Sequence, residues 1–334
     1  AQDSAAVPAT ATFPDAASSA EALVRFGETS PGRGLPIYRL WMTEATFDRW
    51  AARSPLDNTP LPVTFVYNND RVIHNVGALY AGSPHIAPSY NNPAGNLCGY
   101  VLIFPKDDLF LGVTDVVLDW PGRDATAQQE PMAYWIAREL GIPFNHRRFI
   151  RLHVNGRTET DRGSIYEDAQ QVNSDLIESW LPDELDGNLH KIEQWFEFAD
   201  NGSRTHTGPP RLEDYTTTGG VKKAARYRWC WLPRAVRTSV DDFASLFTLA
   251  DAANAMDPDT YARQLEGLID LEEWMRTFAV ENIVVNFDAW GYDIGKNMYA
   301  YKPPGGPWRL FMWDIDWVML ASAQHGYSPT SPLM

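Results

Sequence analysis

The sequence predicts an α+β fold with a β-rich first lobe and a mainly helical second lobe. In the first part of the chain, short strand patterns are separated by turn residues, and the stretches 62–67 and 71–79 flank the turn 68–70. In the last third, apolar residues recur at helical spacing, most clearly over 271–285. The length of 334 residues is sufficient for one two-lobed domain or for two small domains.

Two helices are predicted among the strands of the first part. The segment 43–52 has Thr43 as its N-cap. The segment 124–140 ends at Gly141, and Pro131 fits only in a first turn, so the regular part of this helix is expected to start late. The predicted strands are 37–42, 62–67, 71–79, 99–104 and 149–154.

The second part combines a strand, a basic-aromatic run and helices. The run 222–231 either forms a positive patch for an acidic partner or for phosphates, or packs its Trp and Tyr side chains as an amphipathic element, which is the commoner use of such a run. The other predicted elements are the strand 192–198 and the helices 240–253, 259–268 and 271–285. The apolar face of the last helix is expected to consist of Leu271, Trp274, Met275, Phe278 and Ile283.

A hairpin follows the last helix and carries acidic and amide side chains at its open end. Alternating residues around Tyr299 and Tyr301 predict one strand, the Pro- and Gly-rich segment 303–307 predicts a turn, and 308–312 predicts the returning strand. Polar side chains then lie at this end of the hairpin, in the loop 288–297 and at Asp314 and Asp316.

Clustered carboxylates repel one another unless a cation lies among them. Asp and Asn oxygens suit a hard ion such as Mg²⁺, which proteins usually hold with one or two carboxylates plus substrate phosphates. An Asp that accepts a hydroxyl proton, with an Asn and a second Asp on the metal, is the arrangement used in phosphoryl transfer. Each of these residues, taken alone, is equally well explained as a turn or cap residue.

Three segments of this region resemble the CotH kinase family, the atypical protein kinases related to spore coat protein H. The family has an Asn-x-Asp-aromatic segment, an Asn-x-Tyr-x-Tyr strand and a Trp-Asp-x-Asp ending. The corresponding segments here are 286–290, 297–301 and 313–316, in the same order. Weaker likenesses occur at 163–168 and 187–191.

The resemblance implies roles for the residues of these motifs. Asp288 corresponds to the catalytic Asp, and Lys296 is expected to neutralise charge on the transferred phosphate. Asn297 and Asp314 correspond to metal ligands, and Asp316 is a second acidic group at the metal. The cofactors implied are ATP with Mg²⁺ or Mn²⁺.

The resemblance also implies a protein-kinase-like, two-lobed fold. The kinase-like domain is expected over 36–320, with an N-lobe over about 36–165 and a C-lobe over about 166–320. Residues 1–35 are then a linker or the end of a preceding module, and 321–334 are a tail. More helical lobe follows the metal-binding Asp in kinases, so we expect a C-lobe truncated here and a longer parent protein with further domains.

Candidates for nucleotide contacts are spread along the chain. Gly82 and Ser83 keep part of a phosphate-binding segment of the family, although a plain turn explains them better. The family's early-strand Lys is missing near 97–98, and Lys106 either replaces it or faces solvent. Glu167 near the nucleotide pocket and Lys191 facing phosphate are further candidates. Glu130 is either the helix glutamate of kinases or, at least as readily, an exposed acid in a first helical turn that favours acids.

Composition restricts the classes of partner. The formal net charge of −15 and the pI near 4.8 disfavour nucleic acid and anionic membranes. No apolar run approaches the ~20 residues of a membrane span. Cys98 and Cys230 are either free thiols or one disulfide, and the seven histidines show no metal-binding spacing. The linker-like start and the resemblance together suggest a secreted or cell-surface protein.

The sequence therefore predicts an ATP-dependent kinase that phosphorylates Ser or Thr of a secreted or surface protein. One alternative is a surface binding or adhesion module that keeps the fold with weak or no turnover. Another alternative keeps the nucleotide but changes the chemistry, for example to AMP transfer or glutamylation.

Overall fold

The computed structural model describes residues 34–53, 57, 59–81, 99–121, 124, 126–156, 165–194, 196–198, 204–206, 210–235, 242–291 and 295–319. The chain divides into two compact units. The first comprises Ala1–Gly122 with His146–Gln171, and the second comprises Arg123–Asn145 with Val172–Met334.

The first unit is a closed barrel of seven strands in the order β1-β2-β3-β4-β5-β7-β6. Neighbouring strands are antiparallel except β1 and β6, whose parallel pairing closes the barrel. Its elements are β1 (Ile37–Trp41), α1 (Glu44–Ala52), β2 (Leu61–Tyr67), β3 (Arg71–Ala81), β4 (Gly99–Ile103), β5 (Asp115–Asp119), β6 (Arg147–Val154) and β7 (Ile165–Ala169).

Aromatic side chains fill the interior of the barrel. Tyr38 contacts Phe65 edge to face with ring centroids 5.1 Å apart, and Phe65 contacts Phe110 at 4.8 Å. Along β1 every second side chain is buried, which is the alternation that a strand with one buried face requires. The barrel is therefore held together by a packed aromatic core.

Two local predictions for the first unit are confirmed. Thr43 is the N-cap of α1, because its hydroxyl oxygen accepts a hydrogen bond from the backbone N–H of Thr46 at 3.2 Å. Asn68 and Asn69 form the turn between β2 and β3, and both adopt left-handed backbone angles that Asn tolerates better than most residues.

The second unit is built around a four-stranded antiparallel sheet in the order β11-β8-β12-β13, with β9 and β10 forming a separate pair. Its helices are α2 (Gln129–Glu139), α3 (Ser174–Trp180), α4 (Ala224–Cys230), α5 (Ala244–Ala253), α6 (Pro258–Leu268) and α7 (Leu271–Ile283). Its strands are β8 (Asn188–Ile192), β9 (Phe196–Phe198), β10 (Arg204–His206), β11 (Trp231–Ala235), β12 (Met298–Lys302) and β13 (Arg309–Met312).

The predicted two-lobed kinase fold with a mainly helical second lobe is wrong. The first unit is a closed barrel, and the second unit has a sheet at its centre, with seven helices in the described parts of the whole chain. The strand patterns were mostly identified correctly, but β1 and β6 are over 100 residues apart, and periodicity does not report which distant strands pair. Strands β5, β7, β8, β10 and β11 were not predicted, and β11 begins at the last residue of the basic-aromatic run.

Helix α7 exists as predicted, but most of its predicted apolar face is exposed. Its buried face carries polar groups instead, including Glu273, Thr277 and Glu281. Glu273 accepts a hydrogen bond from the backbone N–H of Leu310 at 3.0 Å, which ties the helix to β13. The exposed fractions are 47% for Leu271, 59% for Met275 and 68% for Ile283.

The basic-aromatic run packs as an amphipathic element. Arg226 lies over the ring of Tyr215 with its guanidinium carbon 4.9 Å from the centroid, and Lys222 forms ion pairs with Asp214 and Asp251. Tyr227, Cys230 and Trp231 are buried. Cys230 is a free thiol, and Cys98 lies outside the described residues. Within the described residues, no helix has the length and apolar character needed to cross a membrane.

Gly187, which precedes β8, has no room for a side chain. A Cβ at this position would lie closer than 3.0 Å to the carbonyl oxygen of Lys302 and to the ring of Tyr301. We expect Gly187→Ala to lower the free energy of unfolding by about 1–3 kcal/mol, as overpacking usually does. Urea denaturation checks this value.

Gly267 in α6 provides the matched control, since no atom lies within 4 Å of its would-be Cβ. Gly267→Ala is expected to raise the free energy of unfolding by about 0.5–1 kcal/mol, because alanine loses less backbone entropy in a helix. Equal effects of the two substitutions would contradict the proposed crowding at Gly187.

Candidate active site

The loop between α7 and β12 places Asp288 beside Lys296 and Asn297. After α7 the chain turns at Val285, which has a left-handed φ of 59°. The backbone N–H of Lys296 donates to the carbonyl oxygen of Asp288 at 3.0 Å, and Ala289 pairs with Lys296 as a parallel bridge. These contacts join the two ends of the loop, so residues distant by eight positions become neighbours. Residues 292–294 lie outside the described part of this loop.

The hairpin brings Asp314 to the same place. Met298 in β12 pairs with Met312 in β13, so the residue before β12 and the residues after β13 lie at one end of the sheet. The amide nitrogen of Asn297 donates to Oδ2 of Asp288 at 3.0 Å and to the backbone oxygen of Asp314 at 3.2 Å. Asn297 therefore links the loop to the end of the hairpin.

Two lysines and one further carboxylate complete the cluster. Nζ of Lys296 lies 3.0 Å from Oδ2 of Asp288, whose side chain is buried. Lys191, near the end of β8, forms an ion pair with Glu193 at 2.7 Å. Strand pairing places Lys191 opposite Tyr299, so β8 holds this lysine beside β12, the strand that follows Lys296 and Asn297.

Burial and neighbouring charges together set the protonation of this cluster. Burial raises the pKa of Asp288, Lys296 opposes the change, and Asp314 and Glu193 add to it. Burial alone would lower the pKa of Lys296, but Asp288, Asp314 and Glu193 outweigh it and the pKa is raised. The two shifts differ in their main cause, because burial dominates the shift of Asp288 whereas the neighbouring carboxylates dominate the shift of Lys296.

Glu193 is the exception among the carboxylates. Burial alone would raise its pKa, but Lys191 and Lys296 prevail and the pKa is lowered. Glu193 therefore lies between two lysines and stays ionised, whereas Asp288 is closer to accepting a proton. The cluster thus contains one fixed anion and one aspartate suited to proton transfer.

A family model for the CotH kinase protein matches residues 103–330, which is more than half of the chain. The chain belongs to the CotH kinase family. The matched range includes the loop and hairpin that carry Asp288, Asn297 and Asp314, and it confirms the resemblance recognised in the sequence. No curated protein matches the chain. Membership in the CotH kinase family indicates a kinase-like phosphotransferase function, and the family is associated with the spore coat or cell surface.

The donor set at the end of the hairpin fits a small hard cation. Asn297 directs its amide nitrogen to two acceptors, which fixes the orientation of the amide and leaves its oxygen available as a ligand. Asp314 is partly buried and close enough to affect the pKa of Asp288 and Lys296. In the described parts of the chain, no group of three or more His, Cys, Asp or Glu side chains is arranged to hold a metal. One carboxylate and one amide suffice for Mg²⁺ when substrate phosphates supply other ligands.

Four of the predicted nucleotide-contact residues belong to the first unit. Lys106 is exposed in the turn after β4. Glu167 is buried in β7, where its Oε2 lies 2.8 Å from Nη1 of Arg147. Gly82 and Ser83 lie outside the described residues. A nucleotide-binding role for each of these residues stays a prediction.

The remaining predicted residues belong to the second unit. Glu130 is buried in the first turn of α2. Asp316 is partly buried two residues after Asp314, past the end of the hairpin. The structure thus brings together Lys191, Asp288, Lys296, Asn297 and Asp314.

Sequence reasoning missed Glu193 as a member of the cluster. Its sequence signal was its spacing, since residues two apart along a strand direction tend to lie on one face, and Lys191 was already a candidate. Sequence reasoning also missed that Glu281 is buried. It was missed because the wrong face of α7 was predicted to pack inward.

Proposed function

We propose that this protein transfers the γ-phosphate of ATP to a Ser or Thr hydroxyl of a secreted or cell-surface protein, in a reaction that requires Mg²⁺ or Mn²⁺. The observation that supports this most is the double hydrogen bond of Asn297 to Asp288 and to the backbone of Asp314. It joins a base candidate to two metal-ligand candidates, which is the set of groups that phosphoryl transfer uses.

Asp288 is proposed to accept the proton of the attacking hydroxyl group. Its raised pKa makes it a better base than an exposed Asp, since an efficient general base has a pKa nearer the working pH. Lys296 holds the carboxylate in place through the 3.0 Å ion pair and keeps a positive charge near the transferred phosphate.

Asn297 and Asp314 are the proposed metal ligands, with Asp316 as a second acidic group. A bound Mg²⁺ or Mn²⁺ would neutralise charge on the phosphates of ATP. Lys191 is proposed to face the phosphates from the end of β8. The other proposed nucleotide contacts are Gly82, Ser83, Lys106, Glu130 and Glu167.

Nucleotide binding is the first test of this proposal. The melting temperature of the wild-type protein is measured with ATP, with Mg²⁺ or Mn²⁺, and with both. We expect ATP to raise the melting temperature only when a divalent metal is present, because a ligand that binds the native state stabilises it. No shift under any condition would contradict the proposal and favour a binding or adhesion module.

Glu193→Gln tests the electrostatic account of Asp288. The charge of Glu193 raises the pKa of Asp288, so removing that charge is expected to lower the pKa. The acidic limb of the pH dependence of turnover should therefore move to lower pH, since Asp288 then loses its proton at lower pH.

Glu266→Gln supplies the control for this experiment. Glu266 is exposed on α6, so the same chemical change should leave the pH profile in place. An acidic limb that moves to higher pH in Glu193→Gln would contradict the proposed coupling between Glu193 and Asp288.

A further inference from the structure

The buried face of α7 ends at Glu281, one turn before the loop that carries Asp288. Glu281 is 1% exposed, and Asn286 is fully buried. The amide nitrogen of Asn286 donates to Oε2 of Glu281 at 2.7 Å, and its backbone N–H donates to the backbone oxygen of Glu281 at 2.8 Å. Helix and loop are therefore joined twice through the same two residues.

Two oxygen atoms of this pair have no hydrogen-bond partner within the part of the chain that the structure describes. They are Oε1 of Glu281 and Oδ1 of Asn286, and both are buried. Two buried acceptors without a protein donor are unfavourable. Oε1 shares the carboxyl carbon of Glu281 with Oε2, and Oδ1 shares the amide carbon of Asn286 with Nδ2. Oε2 and Nδ2 are the two atoms joined by the 2.7 Å hydrogen bond. A single proton on Glu281 would turn Oε1 into a donor to Oδ1 and satisfy both atoms.

The surroundings of Glu281 also favour the neutral acid. Burial raises the pKa of Glu281 to about 8, and the bond from Asn286 opposes this only partly. Burial and Asn286 are the causes of this shift, and no charged group of the described elements packed around Glu281 contributes to it. These groups are Glu272, Glu273 and Arg276 on α7, Asp288 and Lys296 in the described part of the loop, Glu130, Arg138 and Glu139 on α2, and Arg309 on β13.

We propose that Glu281 is a positioning residue that acts as a neutral acid, forming a closed acid–amide pair with Asn286 that fixes the start of the loop carrying Asp288. The positioning role rests on the function proposed above, whereas the acid–amide pair itself does not. Asn286 transmits the constraint, because its backbone oxygen accepts a hydrogen bond from Ala289 at 3.2 Å and this turn contains Asp288. An ionised Glu281 would place a carboxylate against Oδ1 of Asn286 and disturb the turn.

Infrared spectroscopy and unfolding measurements test the pair without any need for activity. Glu281→Gln offers one donor and one acceptor in place of the acid, so it can form the same ring with Asn286. We expect the wild type at neutral pH to show the carbonyl band of a protonated carboxylic acid that Glu281→Gln loses. Glu273→Gln is the matched comparison. Glu273 is also buried on α7 with its pKa raised to about 8, yet it bonds to Leu310 and not to Asn286, so Glu273→Gln should keep the band that Glu281→Gln loses.

The pH dependence of stability follows from the same proton. Between the ordinary pKa of Glu and about 8, the unfolded wild type releases this proton while the folded protein keeps it, so stability contributed by Glu281 is lost as pH rises. Glu281→Gln cannot titrate. The denaturation midpoint of Glu281→Gln minus that of the wild type is therefore expected to increase between pH 5 and pH 8. An unchanged infrared band together with a constant difference in midpoint would overturn the neutral acid.

Turnover and nucleotide affinity separate a positioning role from a purely structural one. Glu281→Ala is expected to lower the maximal rate of ADP formation by roughly 100-fold with little change in the affinity for ATP, since a displaced base slows chemistry rather than binding. Glu281→Gln should restore most of that rate. Full activity of Glu281→Ala would overturn the positioning role. If the wild type does not turn over ATP, the proposed function and the positioning role both fail, and the infrared and unfolding results still decide whether the acid–amide pair exists.

Discussion

Asp288→Asn is expected to lower phosphoryl transfer by roughly 10²- to 10⁴-fold, the range that a general base contributes. The substitution keeps the size of the side chain and an oxygen that can accept the hydrogen bond from Asn297. It removes the group that accepts the hydroxyl proton. The measurement is the initial rate of ADP formation with ATP and Mg²⁺, with circular dichroism to verify the fold.

Asp259→Asn is the control, since it makes the same chemical change outside the cluster. Asp259 lies exposed in the first turn of α6. Its rate should equal that of the wild type. Full turnover in Asp288→Asn would show that another group accepts the proton, and the assignment of Asp288 would be wrong.

Asp314→Asn is expected to weaken metal-dependent ATP binding by at least roughly 10- to 100-fold. Removing a group that only supports a metal ligand lowers metal affinity by about this factor, and removing a direct ligand should lower it by no less. Isothermal titration calorimetry with ATP in Mg²⁺ and then in EDTA measures the effect. The affinity in EDTA should be the same for the wild type and the variant, because the loss acts through the metal.

Asp259→Asn again serves as the control, with unchanged affinity in Mg²⁺. Equal affinities of the wild type and Asp314→Asn in Mg²⁺ would remove Asp314 from the metal site. A loss of affinity that persists in EDTA would instead indicate a contact of Asp314 with the nucleotide or damage to the fold.

The proximity of the candidate site residues could be predicted from the sequence where local structure sets it. The Pro- and Gly-rich turn fixes the pairing of β12 with β13, and this pairing alone brings Asn297 near Asp314. The end of α7 likewise fixes where the loop containing Asp288 begins. Short loops and hairpins constrain position strongly, so motif spacing was informative here.

The parts that the sequence did not predict depend on distant contacts. Closure of the barrel needs β1 to pair with β6, and neither strand encodes its partner. The orientation of α7 was predicted from hydrophobicity, yet Glu273 and Glu281 lie on the buried face, where they accept hydrogen bonds from Leu310 and Asn286. Polar groups buried by specific partners are invisible to periodicity, and here one of them supports the loop of the candidate site.

Analysis of the nucleotide product tests the central claim most directly. The protein is incubated with ATP and Mg²⁺ or Mn²⁺, the nucleotides are separated by chromatography, and the protein is examined by mass spectrometry for modified side chains. Our account predicts that ADP forms only with the metal and that phosphate appears on Ser or Thr hydroxyls. Release of pyrophosphate with AMP attached to protein, or ATP left unconsumed with every candidate protein substrate offered, would contradict it.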